Sequence, residues 1–133
     1  MSGSLVTLGA NRRILAIDTA NARSSLALWW EGRVQFAASS QARDNLGWLD
    51  ATLCAALGEH GIAAGDLDAI AVTIGPGAMT GLRIGVGYAQ SLALGLGLPM
   101  LGINTLSTIA LAASQHHSAQ GSSVAVALDA RMA

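Results

Sequence analysis

The fold is decided by Ala69-Ile-Ala-Val-Thr-Ile74 and by the segment that follows it, Gly75-Pro-Gly-Ala-Met-Thr-Gly-Leu-Arg-Ile-Gly85. The first six residues are apolar and partly β-branched, which is typical of a strand buried on both faces. The glycine-rich segment ends this strand, and a helix is predicted from Gly81 to about Leu98, with Thr80 as its N-cap. A sharp turn from strand to helix presents free backbone N–H groups at the carboxyl edge of a sheet, where α/β proteins bind ligands and partners.

The glycines of this segment have two interpretations: they serve only to permit a tight turn, or they also serve binding. The known phosphate-binding motifs do not fit. A Walker A loop requires Lys, and all seven basic residues of this chain are Arg. The GxGxxG spacing fails because position 80 is Thr. A nucleotide site here would have to be of another type.

Composition limits the class of protein. A chain of 133 residues suits one domain, and it is 52% apolar but only 11% charged. The net charge of −1 provides no basic field that could hold nucleic acid without a partner. Cys54 is the only cysteine, which excludes an intramolecular disulfide and a Cys-rich zinc site and suggests a reducing cytoplasm.

Residues 84–128 carry no formal charge apart from two histidines, so a membrane span has to be considered. Several glycines and Pro99 interrupt this stretch, which favours buried elements of a soluble fold instead. The first eight residues lack the basic start and the long apolar core of a signal peptide.

The rest of the chain predicts alternating strands and helices. Glu31-Gly32 is expected to be a tight hairpin turn, and apolar residues at 46, 49, 53 and 57 form the buried stripe of a helix closed by Gly61. The predicted order is βββαβαβα in a mixed sheet, an α/β fold. The strands are 14–19, 24–30, 33–39, 69–74 and 100–103, and the helices are 45–60, one from about 80, and 106–115.

The end of the chain resembles its beginning. Val124-Ala-Val-Ala-Leu-Asp129 and Ile14-Leu-Ala-Ile-Asp18 are both apolar runs that end in Asp before small residues. Either two short runs are alike by chance, or the fold is duplicated. The second alternative predicts a flexible N-terminus over 1–12, a first lobe over 13–118, and a linker with the first strand of a second, mostly missing lobe over 119–133.

Four segments, in this order and spacing, resemble one known family. They are Ile14-Leu-Ala-Ile-Asp18-Thr19 with Ser24-Ser-Leu26, the Gly75 to Gly85 segment, Gly102-Ile-Asn-Thr-Leu106, and Asp129-Ala-Arg-Met132. From about Arg13 to its end the chain resembles the TsaB (YeaZ) family, and the segments together are far more specific than any one alone. The resemblance implies an actin-like fold built of ribonuclease-H-like lobes.

The resemblance also implies a function. TsaB proteins are subunits of the machinery that forms N6-threonylcarbamoyladenosine in tRNAs that read codons beginning with A. There the catalytic subunit is the paralogue TsaD, TsaB is its required scaffold, and TsaE is an ATPase. The implied protein is a non-catalytic cytoplasmic subunit with no cofactor and no membrane contact. It would dimerise with TsaD or with a second TsaB, and meet tRNA only through the complex.

TsaD-like proteins differ by two metal-binding histidines, four residues apart, just after the Gly-Ile/Val-Asn segment. The matching positions here are Thr105 and Ile109, and neither supplies an imidazole ligand. His116 and His117 do not replace them, because neighbouring helical residues point about 100° apart and no nearby carboxylate has ligand spacing. The resemblance, with this departure, predicts no metal site.

The helix after the glycine turn carries small residues at every fourth position. The row is Gly77, Gly81, Gly85, Ala89, Ala93 and Gly97, and most of it follows one ridge of the helix. It would let a helix of another chain approach closely, or it packs internally on the sheet, and both alternatives stay open. In the family, this helix and the preceding one form the surface that pairs with TsaD or a second TsaB.

Further residues of the predicted partner interface are Trp48, Thr52, Thr80 and Arg83. Arg83 places a cation near the positive end of a helix macrodipole and therefore needs a compensating partner. Trp48 lies off the leucine stripe, so it is either an interface anchor or packed under a loop of its own domain. Ala78-Met79 and Asp44-Asn45 depart from the family pattern beside this surface.

Two enzymatic alternatives complete the predictions. A nucleotide-binding phosphotransferase of the same superfold would place Asp18 and Thr19 near phosphate, as weak cofactor-binding candidates. The simpler interpretation is that Asp18 caps the hairpin turn. A glycoprotease-like peptidase would need a nucleophile with a base, and Cys54 has no identified histidine partner.

Overall fold

The structure, a computed structural model, describes residue 9 and residues 11–41, 43–116, 123 and 125–128. Its elements follow the predicted order, with one additional short 3-10 turn at Ala64–Asp66. The strands are β1 (Ile14–Asp18), β2 (Ser24–Trp30), β3 (Arg33–Ser40), β4 (Ala69–Gly75) and β5 (Met100–Asn104). The helices are α1 (Asn45–Glu59), α2 (Met79–Leu96) and α3 (Thr105–His116).

The five strands form one mixed sheet in the order β3-β2-β1-β4-β5. β1, β2 and β3 are an antiparallel meander, whereas β4 lies parallel to β1 and β5 lies parallel to β4. The turn between β2 and β3 is the predicted pair, with φ of 53° at Glu31 and 75° at Gly32. Two positive φ angles are the geometry of a type I′ turn, whose twist suits antiparallel strands. The predicted α/β fold with a mixed sheet is confirmed.

One face of the sheet carries the hydrophobic core. Along each strand the core residues alternate with less buried ones, as the period of two requires. They are Leu15, Ile17, Leu26, Leu28, Ile70 and Val72, and α1 adds Leu49, Leu53, Ala56 and Leu57. The predicted stripe is wrong at Leu46, which is 52% exposed. It lies in the first turn of α1, where the neighbouring elements no longer cover the stripe.

Helix α2 begins earlier than predicted. Ala78 is its N-cap residue and no side chain of the described residues caps this end, so the prediction of Thr80 as the N-cap is wrong. The backbone does this work instead: the Ala78 N–H donates to the Ala20 carbonyl oxygen at 2.7 Å, which ties the start of α2 to the end of β1. At the other end Gly97, with φ of 66°, is the C-cap.

The small residues of α2 pack inside this chain. Gly81, Gly85, Ala89 and Ala93 are buried, and α2 lies against β4 and β1. A Cβ atom at Gly81 would overlap the carbonyl oxygen of Thr19, and one at Gly85 would overlap the Thr19 hydroxyl. Of the two alternatives left open for this row, the structure shows internal packing at Gly81, Gly85 and Ala89, which are buried within this chain.

The other face of the sheet is only partly covered. Helix α3 lies there against β4 and β5. On β1 and β2 the same face carries Ile14, Ala16, Ala27 and Trp29, all of intermediate exposure. An open strip of sheet therefore lies beside α3.

The two ends of the chain are described only in part. Residues 125–128 are not in a strand, so the strand predicted at 124–128 is not formed over these four residues, and residue 124 lies outside the described residues. The motif at 129–132 lies outside the described residues, and the domain boundary at 118 stays a prediction. Near the start, Arg12 forms an ion pair with Asp68 at 3.4 Å. Within the described residues, no helix is long and apolar enough to cross a membrane.

Candidate functional site

Asp18 lies at the carboxyl end of β1. Its Oδ1 accepts hydrogen bonds from the Ala20 N–H at 3.0 Å and from the Thr73 hydroxyl at 2.8 Å. The first bond closes the turn after β1, as Asp side chains commonly do, and confirms the prediction of a hairpin cap. The second links two parallel strands, because Thr73 belongs to β4.

Thr19 holds α2 against β1. Its side chain is fully buried and its hydroxyl donates to the Gly81 carbonyl oxygen at 2.6 Å. The prediction of Thr19 as a cofactor-binding residue is wrong, because α2 covers it. The sequence contains a signal for this packing role: Gly81 and Gly85 lie one helical turn apart and leave room for a side chain from a neighbouring element.

A cavity of about 280 Å³ lies beside Asp18, on the sheet face away from the core. Its lining combines small apolar residues with hydroxyl groups and includes Ala16, Ala27, Ala71, Ser25, Thr73 and Thr108. Asp18 is the one ionisable residue among the described residues that line it. The cavity therefore has a negative polar end and an apolar floor.

The outer faces of α1 and α2 form a second candidate region. The Tyr88 hydroxyl donates to Asp50 Oδ1 at 3.2 Å, which joins the two helices. Burial, followed by the negative charge of Asp50, raises the pKa of Tyr88. Tyr88 is therefore a neutral donor at physiological pH and fastens α2 to α1.

Arg83 and Thr80 are exposed near the start of α2. The first turn of α2 contains no acidic residue, and no hydrogen bond or ion pair engages the Arg83 guanidinium within the described residues. A cation near a helix N-terminus opposes the macrodipole, so Arg83 can gain from an anionic group outside the chain. Gly77, just before the helix, has an exposed backbone but lies so close to Ala20 that a Cβ atom would collide with it.

Trp48 and Thr52 have intermediate exposure on α1. Trp48 packs partly against the core, which supports its packing within its own domain and leaves part of the ring accessible. Sequence reasoning missed Leu46 and Met79 as surface residues, which are 52% and 67% exposed. The signal that could have found them is an apolar residue in the first turn of a helix, beyond the part that the sheet covers.

The residues that could act as metal ligands or nucleophiles are dispersed. The described part of the chain contains no group of three or more His, Cys, Asp or Glu residues that could hold a metal ion. Cys54 is exposed, whereas His60 bonds the Ala56 carbonyl oxygen through Nδ1 at 2.8 Å and meets the Trp30 ring edge-on. His116 ends α3 at the surface, and its neighbour at position 117 lies outside the described residues.

Asp68 has a structural role. Its carboxylate accepts the Arg13 backbone N–H at 2.7 Å and the Arg12 guanidinium at 3.4 Å. The backbone hydrogen bond is the main cause that lowers the pKa of Asp68, with smaller contributions from Arg12 and against the opposing effect of burial. The Asp68 carboxylate thus connects the start of β1 to the loop before β4.

Residues 39–133 match the family described as TsaD, tRNA N6-adenosine threonylcarbamoyltransferase. The chain belongs to the TsaD family. Among TsaD-family relatives, it is 42% identical to the Escherichia coli (strain K12) tRNA threonylcarbamoyladenosine biosynthesis protein TsaB over 90% of its length. It is 49% identical to a tRNA N6-adenosine threonylcarbamoyltransferase of a Jannaschia species, but over 53% of its length and 20% of that protein. The resemblance to TsaB predicted from the sequence is confirmed.

Solved structures agree with this TsaD-family assignment. Two chains from Pseudomonas aeruginosa, one described as YeaZ and one as an uncharacterized protein with similarity to peptidase YEAZ, each have a TM-score of 0.76 at 36% identity and cover 81% of this chain. RuvC of Thermus thermophilus, with a TM-score of 0.55 at 13% identity, shares the fold alone, and the predicted ribonuclease-H-like lobe is confirmed. The chain spans about half the length of TsaB and of the two Pseudomonas chains, 51% for TsaB and 50% and 51% for those chains.

Proposed function

We propose that this protein is a non-catalytic subunit of the complex that forms N6-threonylcarbamoyladenosine in tRNAs that read codons beginning with A. It acts by dimerising with a TsaD-like catalytic subunit. The observation that carries this proposal is the 42% identity with TsaB over 90% of the chain. The alignment with the Jannaschia transferase covers only 53% of the chain, which favours TsaB as the model for its role.

The residues at the start of α3 support a non-catalytic role. Thr105 and Ile109 stand where the resemblance places the two metal-binding histidines of the catalytic paralogue. Thr105 is fully buried, and its Oγ1 has no hydrogen-bond partner within the described residues. A hydroxyl and an alkyl group cannot replace two imidazole ligands. A peptidase role is also disfavoured, because His60 is engaged with Ala56 and Trp30 and not with Cys54.

The proposed partner surface is the outer face of α1 and α2, which the Tyr88–Asp50 bond holds together. Arg83 offers a cation there that has no partner among the described residues, so we expect an acidic group on the partner protein. Trp48 offers a partly accessible aromatic ring of the kind that often anchors interfaces, with Thr52 on the same helix and Thr80 beside Arg83. The partner surface also depends on buried small residues, because they let α2 lie close to the sheet and so fix its position. They are Gly81, Gly85 and Ala89.

The rest of the assembly follows from the same proposal. A TsaE-like ATPase would be a further member, and a second copy of this chain would compete for the surface that binds the TsaD-like subunit. Contact with tRNA is expected only through the complex, because a net charge of −1 gives this chain little attraction for phosphates. The expected compartment is the cytoplasm.

The nucleotide-binding alternative has weaker support. Thr19 is buried under α2, and the described residues that line the cavity beside Asp18 include no basic side chain that could neutralise phosphate. Calorimetric titration with ATP and Mg²⁺ separates the two functions. Tight binding that is lost in Asp18→Ala would favour the enzyme, and no binding in either form would favour the scaffold.

Co-purification tests the proposed function. The chain and the TsaD-like subunit of the same organism are co-expressed with a tag on one of them. We expect a stable complex and no threonylcarbamoyl transfer to tRNA by the chain alone. Failure of the two proteins to co-purify, or transfer activity that the isolated chain performs, would contradict the proposal.

A further inference from the structure

The sheet face away from the core carries a continuous row of alanines. Across four neighbouring strands, Ala37 pairs with Ala27, Ala27 with Ala16, and Ala16 with Ala71. Residues two positions apart on a strand share a face about 7 Å apart, so this row is a shallow trough one side chain wide. The cavity of about 280 Å³ forms where Thr108 of α3 stands over the end of the trough.

One end of the cavity is polar. Asp18 and Ser25 are directly paired across β1 and β2, and both line the cavity. The hydrogen bonds of Asp18 all use Oδ1, so Oδ2 has no donor within the described residues. The Ser25 hydroxyl likewise has no partner among the described residues, and Ser24, its neighbour, bonds Asn45 on another side of the strand. A carboxylate oxygen and a hydroxyl are thus free to meet a ligand.

The charge of the cavity selects the kind of ligand. Asp18 is negative, and Arg23, which precedes β2, lies outside the lining and donates from its guanidinium to the Ser39 hydroxyl at 3.2 Å. Transfer of an anion into this site would therefore meet an uncompensated carboxylate, whereas an ammonium group would form a charge-assisted hydrogen bond. The site favours cations and rejects phosphates and carboxylates.

The volume of the cavity limits the size of the apolar part of the ligand. A cavity of 150 Å³ lined by apolar side chains can hold benzene, so about 280 Å³ accommodates a single ring with a short side chain. Ala16, Ala27, Ala71 and Ile103 provide the apolar contact surface. We propose that this cavity binds a small organic ammonium compound, with its cationic nitrogen on Asp18 and Ser25 and its apolar body on the alanine floor.

Three probes of nearly equal size test the site: 2-phenylethylamine, which is a cation at neutral pH, 2-phenylethanol, which is neutral, and phenylacetate, which is an anion. Each is titrated into the ¹⁵N-labelled chain, and amide shifts are followed by NMR. For a ligand of this size we expect a Kd of roughly millimolar order for the amine. The alcohol should bind about tenfold more weakly, and phenylacetate should not bind. The shifts should centre on Ser25, Thr73 and Thr108.

Two variants separate charge from shape. Asp18→Asn removes the charge but keeps an oxygen that can accept from the Ala20 N–H and the Thr73 hydroxyl. The affinity of this variant for the amine should therefore fall to its affinity for the alcohol. Ala27→Leu keeps the charge and fills the floor, so neither probe should bind. Equal or tighter binding of phenylacetate, an unchanged amine affinity in Asp18→Asn, or shifts centred elsewhere would overturn the proposal. The ligand comparison on the unmodified chain decides the question even if a variant fails to fold. A failure here leaves partner binding unaffected, because the cavity lies on the other face of the sheet from α1 and α2.

Discussion

Two glycines on the same helix should respond in opposite ways to one added methyl group. Gly85 is buried. A Cβ atom there would overlap the Thr19 hydroxyl and would lie 3.1 Å from both the Cβ and the Cγ2 atom of Thr19. Gly87, two residues along α2, has nothing within 4 Å of an added Cβ atom. Gly87→Ala is therefore the matched control for Gly85→Ala, since both changes carry the same gain in helix propensity.

The magnitudes follow from two effects. Replacing Gly by Ala inside a helix stabilises by about 0.5–1 kcal/mol, and overpacking a tight contact costs about 1–3 kcal/mol. Gly87→Ala should thus raise the free energy of unfolding. The free energy of unfolding of the Gly85→Ala variant should be about 1–3 kcal/mol lower than that of the Gly87→Ala variant. With a urea m-value of about 2 kcal/mol/M, the two unfolding midpoints should differ by roughly 0.5–1.5 M.

A second substitution identifies the contact. Thr19→Ala removes the hydroxyl and methyl groups that an alanine at 85 would meet, but it keeps the carbonyl oxygen that an alanine at 81 would meet. In urea unfolding followed by circular dichroism, Thr19→Ala should recover much of the cost of Gly85→Ala and little of the cost of Gly81→Ala. Equal stability of Gly85→Ala and Gly87→Ala, or equal rescue at both positions, would refute the packing of α2 on Thr19.

Three further outcomes are expected. Asp68→Asn should lower stability near neutral pH. Because the folded pKa of Asp68 is lowered, its stabilisation is present above the ordinary value of 3.8 and is lost as pH falls through the lowered pKa, so the two unfolding curves should converge in acid. Tyr88 is the only tyrosine, and absorbance at 295 nm should show little ionisation near its ordinary pKa of 10.0 in the folded chain, but earlier ionisation in Asp50→Asn. Leu49→Ala should cost about 2–5 kcal/mol in urea unfolding, whereas Leu46→Ala, at an exposed site, should cost less than about 0.5 kcal/mol.

The sequence was sufficient to predict the order of the elements and several of their ends. Local signals decide these features: Glu31-Gly32 can make a hairpin turn without neighbours, and Gly61 can end a helix through a positive φ. The end of α2 was predicted at about Leu98, two residues beyond its actual end at Leu96. The leucine stripe of α1 was predicted correctly in its middle. It failed at Leu46, because burial depends on where the adjoining layer ends.

The candidate sites were harder to predict, because small residues indicate close approach but not what approaches. The row at Gly81 and Gly85 fits a helix from a partner as well as it fits Thr19. Only the tertiary structure shows that Thr19, which follows β1, packs against these glycines of α2. The alanine trough escaped prediction for a related reason: its members come from four strands, and strand register brings them together.

The proposed function requires that this chain pair with a TsaD-like subunit through the outer face of α1 and α2. Isothermal titration of that subunit with the chain tests it directly, using Arg83→Glu beside Arg33→Glu, which makes the same charge change at an exposed residue at the start of β3. We expect a one-to-one complex whose affinity Arg83→Glu weakens about tenfold or more and Arg33→Glu leaves within about twofold. No measurable binding, or equal weakening by the two variants, would contradict it.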